Sequence, residues 1–195
     1  MRVLLIVAHP LDDSFAKAAT ARVRSTLERR GMEVDLIDLY ADGFDPRLTG
    51  DERRGYFASP YDFGAVEGYV DRLKAADKLA LVFPQWWFNM PAILKGFFDR
   101  VFVPGVAFDH GPGGGLIAGL TNIDALYVVS STGAPWWYVR LYMGDPARRQ
   151  IGRGMRGVLN PKSRFRMLTL HDMDKMTTER ACAFLDRVER AFLKF

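Results

Sequence analysis

Three short stretches hold residue types that could grip a flat, polar ligand: AHPLDDSF at 8–15, FPQWWFNMP at 83–91 and SSTGAPWWY at 130–138. In the first, Ser14 stands where an N-cap residue would open a helix, and a helix start offers free backbone N–H groups to an anion such as a phosphate. The plainer reading is a capping serine beside a structural His9. In the second, Trp86, Trp87 and Phe88 run together ahead of a proline. Rings so placed make an apolar wall for a planar ligand, with nearby backbone N–H groups to meet its polar edge. The alternative is core or interface packing, yet three consecutive bulky side chains point different ways, so at least one is expected to face a pocket or a partner. In the third, Ser131, Thr132 and Gly133 would let a backbone approach a ligand closely, although the same residues also make ordinary turns. Neither GxGxxG nor GxxxxGK[ST] occurs in the first loop, which speaks against a classical dinucleotide fold and a P-loop ATPase.

Apolar runs of strand length must position these loops. They fall at 2–8 (RVLLIVA), 33–39 (EVDLIDL), 78–83 (KLALVF), 125–130 (ALYVVS) and 166–170 (RMLTL), and the first, third and fourth are almost continuously apolar, as strands buried on both faces are. Between and after them, residues 14–30, 65–76, 91–101 and 177–193 carry helical periodicity. The alternation predicts an α/β fold, a doubly wound five-stranded parallel sheet with helices on both faces. Ligands of such sheets sit beyond the carboxyl ends of the strands, and all three candidate loops follow a strand.

Bulk composition narrows the class. The 195 residues, 49% hydrophobic and 26% charged, suit a single globular domain over 1–195 with a core on both sheet faces. No apolar run is long enough for a bilayer span and the first strand leaves no room for a signal peptide, so a cytoplasmic protein is expected. One cysteine, Cys182, excludes an internal disulfide and reads as a core residue of the last helix. Three histidines without ligand spacing give no expected metal site. The net charge is +4, with seven basic residues between Arg148 and Arg166. No nucleic-acid motif accompanies them, so nucleic acid is not an expected partner; a solvated face and a phosphate or partner contact both stay open.

Taken together, AHPxxxSF, DLYADGFDP (38–46), FPxWWxxxPAILKGFxDRVF (83–102), VAF (106–108) and the STGA turn (131–134) resemble the flavodoxin-like NAD(P)H dehydrogenases (quinone), a family that includes ancillary subunits of bacterial potassium-efflux systems. The resemblance implies FMN or FAD as cofactor and NAD(P)H as donor. It implies that His9, Ser14 and Phe15 hold the flavin phosphate region, that Pro84, Gln85, Trp86, Trp87 and Phe88 lie along the isoalloxazine ring, and that Ser131, Thr132, Gly133 and Ala134 flank its pyrimidine side. Donor and quinone-like acceptor would use one site in turn, by ping-pong hydride transfer, in a homodimer. A membrane transport partner, with the chain as a regulatory flavin-binding subunit, is a further implication of the same resemblance, and the basic stretch suits it. A one-electron flavodoxin-type carrier is disfavoured, because such carriers tend to be acidic and the sequence pI is near 9.3.

The sequence departs from the best-known quinone reductases after the glycine turn. Those carry a Tyr and a His there; this chain reads APWWYVRLYMGDPARRQ, with no histidine, leaving Tyr138 or Tyr142 to take the catalytic tyrosine's place. Three smaller features read as structural. Gly111–Gly115 is expected to be a flexible turn between Phe108 and Leu116, Asp99 and Arg100 a pair at a helix end, and Lys95 and Gly96 packing residues near the site.

Overall fold

The structure is a computed structural model and describes residues 1–58 and 61–195. Five parallel strands form its main sheet: β1 (Arg2–Val7), β2 (Glu33–Asp38), β3 (Lys78–Pro84), β6 (Ala125–Ser131) and β7 (Arg164–Leu170), in the spatial order β2-β1-β3-β6-β7. This is the flavodoxin-like order, with the chain reversing direction beside β1. The register sets the strand ends level: Val7 pairs with Val82 and Pro84 with Ser131.

Side chains alternate between the two faces, as a pleated strand requires. Val3, Leu5 and Val7 pack with α1 (Phe15–Arg29) and α6 (Thr178–Phe192); Leu4, Ile6 and Ala8 pack with α3 (Glu67–Lys74) and α4 (Ala92–Val101). Each helix buries a stripe at helical spacing: Ala16, Ala19, Val23 and Leu27 in α1, and Phe184, Val188, Ala191 and Phe192 in α6. Burying a side chain such as Phe97 contributes about 1.5–3 kcal/mol, so α4, with Leu94, Phe97 and Val101 fully enclosed, is anchored by packing. Gly96 brings α4 against the loop 42–46: a Cβ there would lie 2.2 Å from the Pro46 carbonyl oxygen.

Several local expectations need correction. Cys182 is exposed, because the inward stripe of α6 runs through Phe184 and Val188 and leaves position 182 on the solvent face. Asp99 and Arg100 do not pair with each other: adjacent helix residues diverge by about 100°. Asp99 instead meets Lys95 one turn away. Arg100, buried, donates to Glu52 at 2.6 Å and to the Asp45 carbonyl at 2.6 Å, fastening the 42–46 loop and the short helix α2 (Gly50–Arg54) to α4. Lys95 is exposed, so of the expected packing pair only Gly96 packs. Gly111–Gly115 is the turn of an antiparallel hairpin, β4 (Phe108–His110) with β5 (Leu116–Ala118), a pairing the sequence reading left out. The last strand begins at Arg164, two residues before its apolar run. One further helix, α5 (Pro146–Arg149), opens the basic stretch.

Candidate functional site

The first loop leaves β1 at Ala8, whose N–H donates to Val82 at 3.0 Å and so keeps the chain in the sheet up to His9. The Leu11 N–H donates to His9 Nδ1 at 3.1 Å, which in the neutral ring puts the proton on Nε2. Ser14 caps α1: its Oγ accepts from the Lys17 N–H at 3.3 Å, and the N–H groups of Phe15 and Ala16, at the first turn, have no intrahelical acceptor. Lys17 folds back onto Asp38 and Asp12. Burial lowers the pKa of its ammonium, but the hydrogen bonds to the two carboxylates outweigh that and the net shift is upward. Sequence reading passed over this ion triad, which ties the first loop to the end of β2.

The second loop is strained. Trp86 and Asn89 exchange backbone hydrogen bonds of 3.0 and 3.1 Å, and between them Trp87 (φ 52°) and Phe88 (φ 61°) both sit in the left-handed region. Positive φ at both central residues defines a type I′ turn, a position for Asn and Gly, which avoid most of the cost. Two aromatics held this way point to function, because such strain persists only where surrounding structure imposes it. The turn presents Trp87, 94% exposed, at the edge of the sheet. Beneath it, Gln85 is buried; its N–H donates to the Ser131 carbonyl at 2.7 Å and its Nε2 to Ser130 Oγ at 3.0 Å, while Oε1 finds no partner among the described residues. Pro84 is buried as the last residue of β3.

The third loop is tied to a fourth that gave no signal in the sequence. Thr132 N–H donates to Leu170 at 2.8 Å, Met173 N–H to Thr132 at 3.1 Å, and Asp172 N–H to Ala134 at 3.3 Å. The end of β7 thus lies along residues 131–134, with the Asp174 carboxylate 3.0 Å from where a Cβ on Gly133 would stand. His171 is carried to the same place. Burial lowers its pKa, the nearby Ala134 backbone acting the other way, and its Nδ1 is enclosed without a partner among the described residues. A histidine therefore does stand near the glycine turn, delivered from another strand.

The structure brings the three expected loops to one edge, although the Phe15 ring turns inward onto Phe184 and leaves only its backbone there. The His9 ring is 6.1 Å from the Trp86 indole, Phe88 is 5.7 Å from Tyr138, and Tyr138 stacks on Tyr142 at 4.9 Å. Tyr138–Tyr142 forms a widened turn in which Met143 N–H reaches back five residues to the Tyr138 carbonyl at 2.9 Å; such π-type turns are frequent at functional sites. Tyr138 is half-buried and packs on the aromatic run, whereas Tyr142 is exposed behind it. Among the described residues no helix is long and apolar enough to cross a membrane.

Residues 1–181 match the sequence profile of the family described as having a flavodoxin-like fold. The chain belongs to that family. It is similar to the ribosyldihydronicotinamide dehydrogenase [quinone] of Rattus norvegicus, 34% identical over 124 residues, covering 55% of this chain and 54% of the relative. The chain thus spans about half the length of that relative. Among solved structures, this flavodoxin-like protein superposes on an NAD(P)H:quinone oxidoreductase from Methanothermobacter marburgensis (TM-score 0.84, 26% identity, 100% and 96% of the two chains). It shares its fold with an FMN-dependent NADH-azoreductase from Bacillus anthracis str. Ames Ancestor in complex with FMN (TM-score 0.77, 17% identity, 99% and 98%).

Proposed function

We propose that this single-domain, cytoplasmic chain is a flavin-dependent oxidoreductase that passes a hydride from NAD(P)H to a quinone-like acceptor, the two substrates using one site in turn. The observation that carries this reading is the strained Trp86–Asn89 turn at the level ends of β1, β3 and β6, where three loops of different chemistry converge.

The residues present fit a flavin. The start of α1, with Ser14 as cap and free N–H groups at Phe15 and Ala16, would hold the phosphate. The orphaned Gln85 Oε1 is an enclosed acceptor in want of a donor, which the polar edge of a flavin ring carries. Trp87 and Phe88 supply the apolar wall, and the small residues 131–134 allow close backbone approach. FMN satisfies the described phosphate site, and the dinucleotide form requires a further grip for its adenosine. When bound, the flavin supplies the hydride chemistry itself. The protein's part is positioning: of the turn's backbone donors, Thr132 and Ala134 N–H are already taken, so the Gly133 N–H would be the one to face negative charge on the ring, while the aromatic wall would exclude water and the Tyr138 hydroxyl is the candidate for holding a proton near the acceptor. A homodimer is part of the reading, because Leu11, Trp87, Trp136, Trp137, Leu141 and Tyr142, all large and apolar, stand exposed on the loops of this edge, as residues covered by a partner subunit do. The names borne by two relatives, a quinone dehydrogenase and a quinone oxidoreductase, support an acceptor of quinone-like class. Flavin uptake, followed by bleaching with NAD(P)H and recovery with a quinone, is the test.

A further inference from the structure

From Arg140 and Asp145, near His171, a cavity of about 370 Å³ runs along the edge strand β7 toward Phe165 at its amino end, with four guanidinium groups around it: Arg140, Arg148, Arg149 and Arg153. They have unequal work. Arg140 pairs with Asp145 at 3.2 Å. Arg148 lies over the Phe165 ring at 5.4 Å and reaches the Met167 carbonyl. Arg149 and Arg153 are exposed and pair with no carboxylate among the described residues. Two glycines shape the wall. A Cβ on Gly144, whose φ is +70°, would stand 3.2 Å from the Arg149 guanidinium, and a Cβ on Gly152 would strike the Phe165 ring at 2.7 Å. An adjoining hollow is lined by Arg166, Arg187, Arg190 and Lys194, so the positive potential of the first cavity is reinforced. Opposed to this charge, only Asp145 carries a negative side chain among the residues lining the first cavity.

The cavity and the platform share one short segment. Tyr138 packs on Phe88 at one end of the turn, Arg140 stands two residues on, and Asp145 N–H donates to the Val139 carbonyl at 2.8 Å. A ligand with a planar ring over the platform and an anionic arm could therefore occupy both. Guanidinium forks match phosphate oxygens bidentately, and an arginine cavity is the chemistry that separates a phosphate-bearing dinucleotide from its neutral parts.

Resting on the functional reading above, we propose that Arg149 and Arg153 bind a phosphate of the reduced nicotinamide dinucleotide, the donor's nicotinamide lying over the aromatic platform. The phosphate is either the 2′-phosphate of NADPH or the pyrophosphate common to both donors. Inorganic phosphate titrated into isotope-labelled protein should give saturable shifts at the Arg149 and Arg153 Nε–H resonances. In the R149S–R153S variant, Kd for NADPH, measured by anaerobic calorimetry on enzyme whose flavin is already reduced so that the nucleotide is not consumed, should rise about tenfold per lost guanidinium contact. A loss confined to NADPH assigns the 2′-phosphate; an equal loss for NADH assigns the pyrophosphate. Both support the proposal. Unchanged affinity for both nucleotides overturns it, even where inorganic phosphate still binds. The two readings fail separately: wild-type protein that takes up no flavin defeats the functional reading, whereas active wild-type enzyme with an indifferent variant defeats this one. An unchanged melting temperature certifies that the variant is folded.

Discussion

At the scale of single residues, the site is marked by what its side chains give up. Trp87 and Phe88 occupy backbone conformations that cost about 1–2 kcal/mol each for an L-residue, and Trp87 recovers little of that by burial. Trp87→Gly should therefore raise the unfolding free energy of the flavin-free protein by about 1 kcal/mol in urea titrations. The same change should weaken flavin affinity by about tenfold through the lost aromatic wall. Lower stability with undiminished flavin affinity would contradict both halves. His171 makes a second case. Its pKa is depressed by burial, so between the folded pKa and about 6.5 the unfolded chain binds the extra proton and stability falls as pH drops through that window. Below the folded pKa both states are protonated and the loss is complete. His171→Gln should flatten this part of the stability profile, read from urea midpoints at a series of pH values; identical profiles for the two proteins would show that the ring is solvated.

At the scale of elements, the question is what keeps four loops in register. The level strand ends are one answer and α4 is the other. Gly96 lets the 42–46 loop lie directly on α4, and Arg100 fastens it. Gly96→Ala puts a methyl group into the Pro46 backbone and should cost about 1–3 kcal/mol, seen as a lower urea midpoint. A midpoint within experimental scatter of wild type would mean that the loop moves freely. These elements were unequally legible in the sequence. Strands β1, β3 and β6 announced themselves because burial on both faces leaves no polar alternation to misread, and Ser14 was recognisable as a cap from its place alone. The type I′ turn was not, since Trp and Phe stand where Asn and Gly are the usual signal. Strands of three residues, as in β4 and β5, are too short to show a period. His171 follows the last strand with no motif around it, and only the spatial neighbourhood of β6 and β7 brings it to the site. The phase of α6 went wrong at Cys182 because periodicity fixes spacing more firmly than it fixes which residue faces inward.

At the scale of the whole molecule, exposed apolar side chains gather on the loops at the strand ends, and a basic hollow runs from Arg140 along β7 to Phe165. These apolar side chains are expected to be covered by a second copy. Sedimentation at micromolar concentration should report twice the 22.1 kDa chain mass, and a monomer at that concentration would contradict the homodimer. The family and the fold follow from the chain as a whole, while the activity rests on the chemistry of the edge. The most direct test is an anaerobic titration of the flavin-loaded protein. NAD(P)H should bleach the flavin's visible absorbance in a first half-reaction, and a quinone added after the nicotinamide is removed should restore it in a second. A protein that binds no flavin, or whose bound flavin neither NADH nor NADPH reduces, would contradict the proposed function.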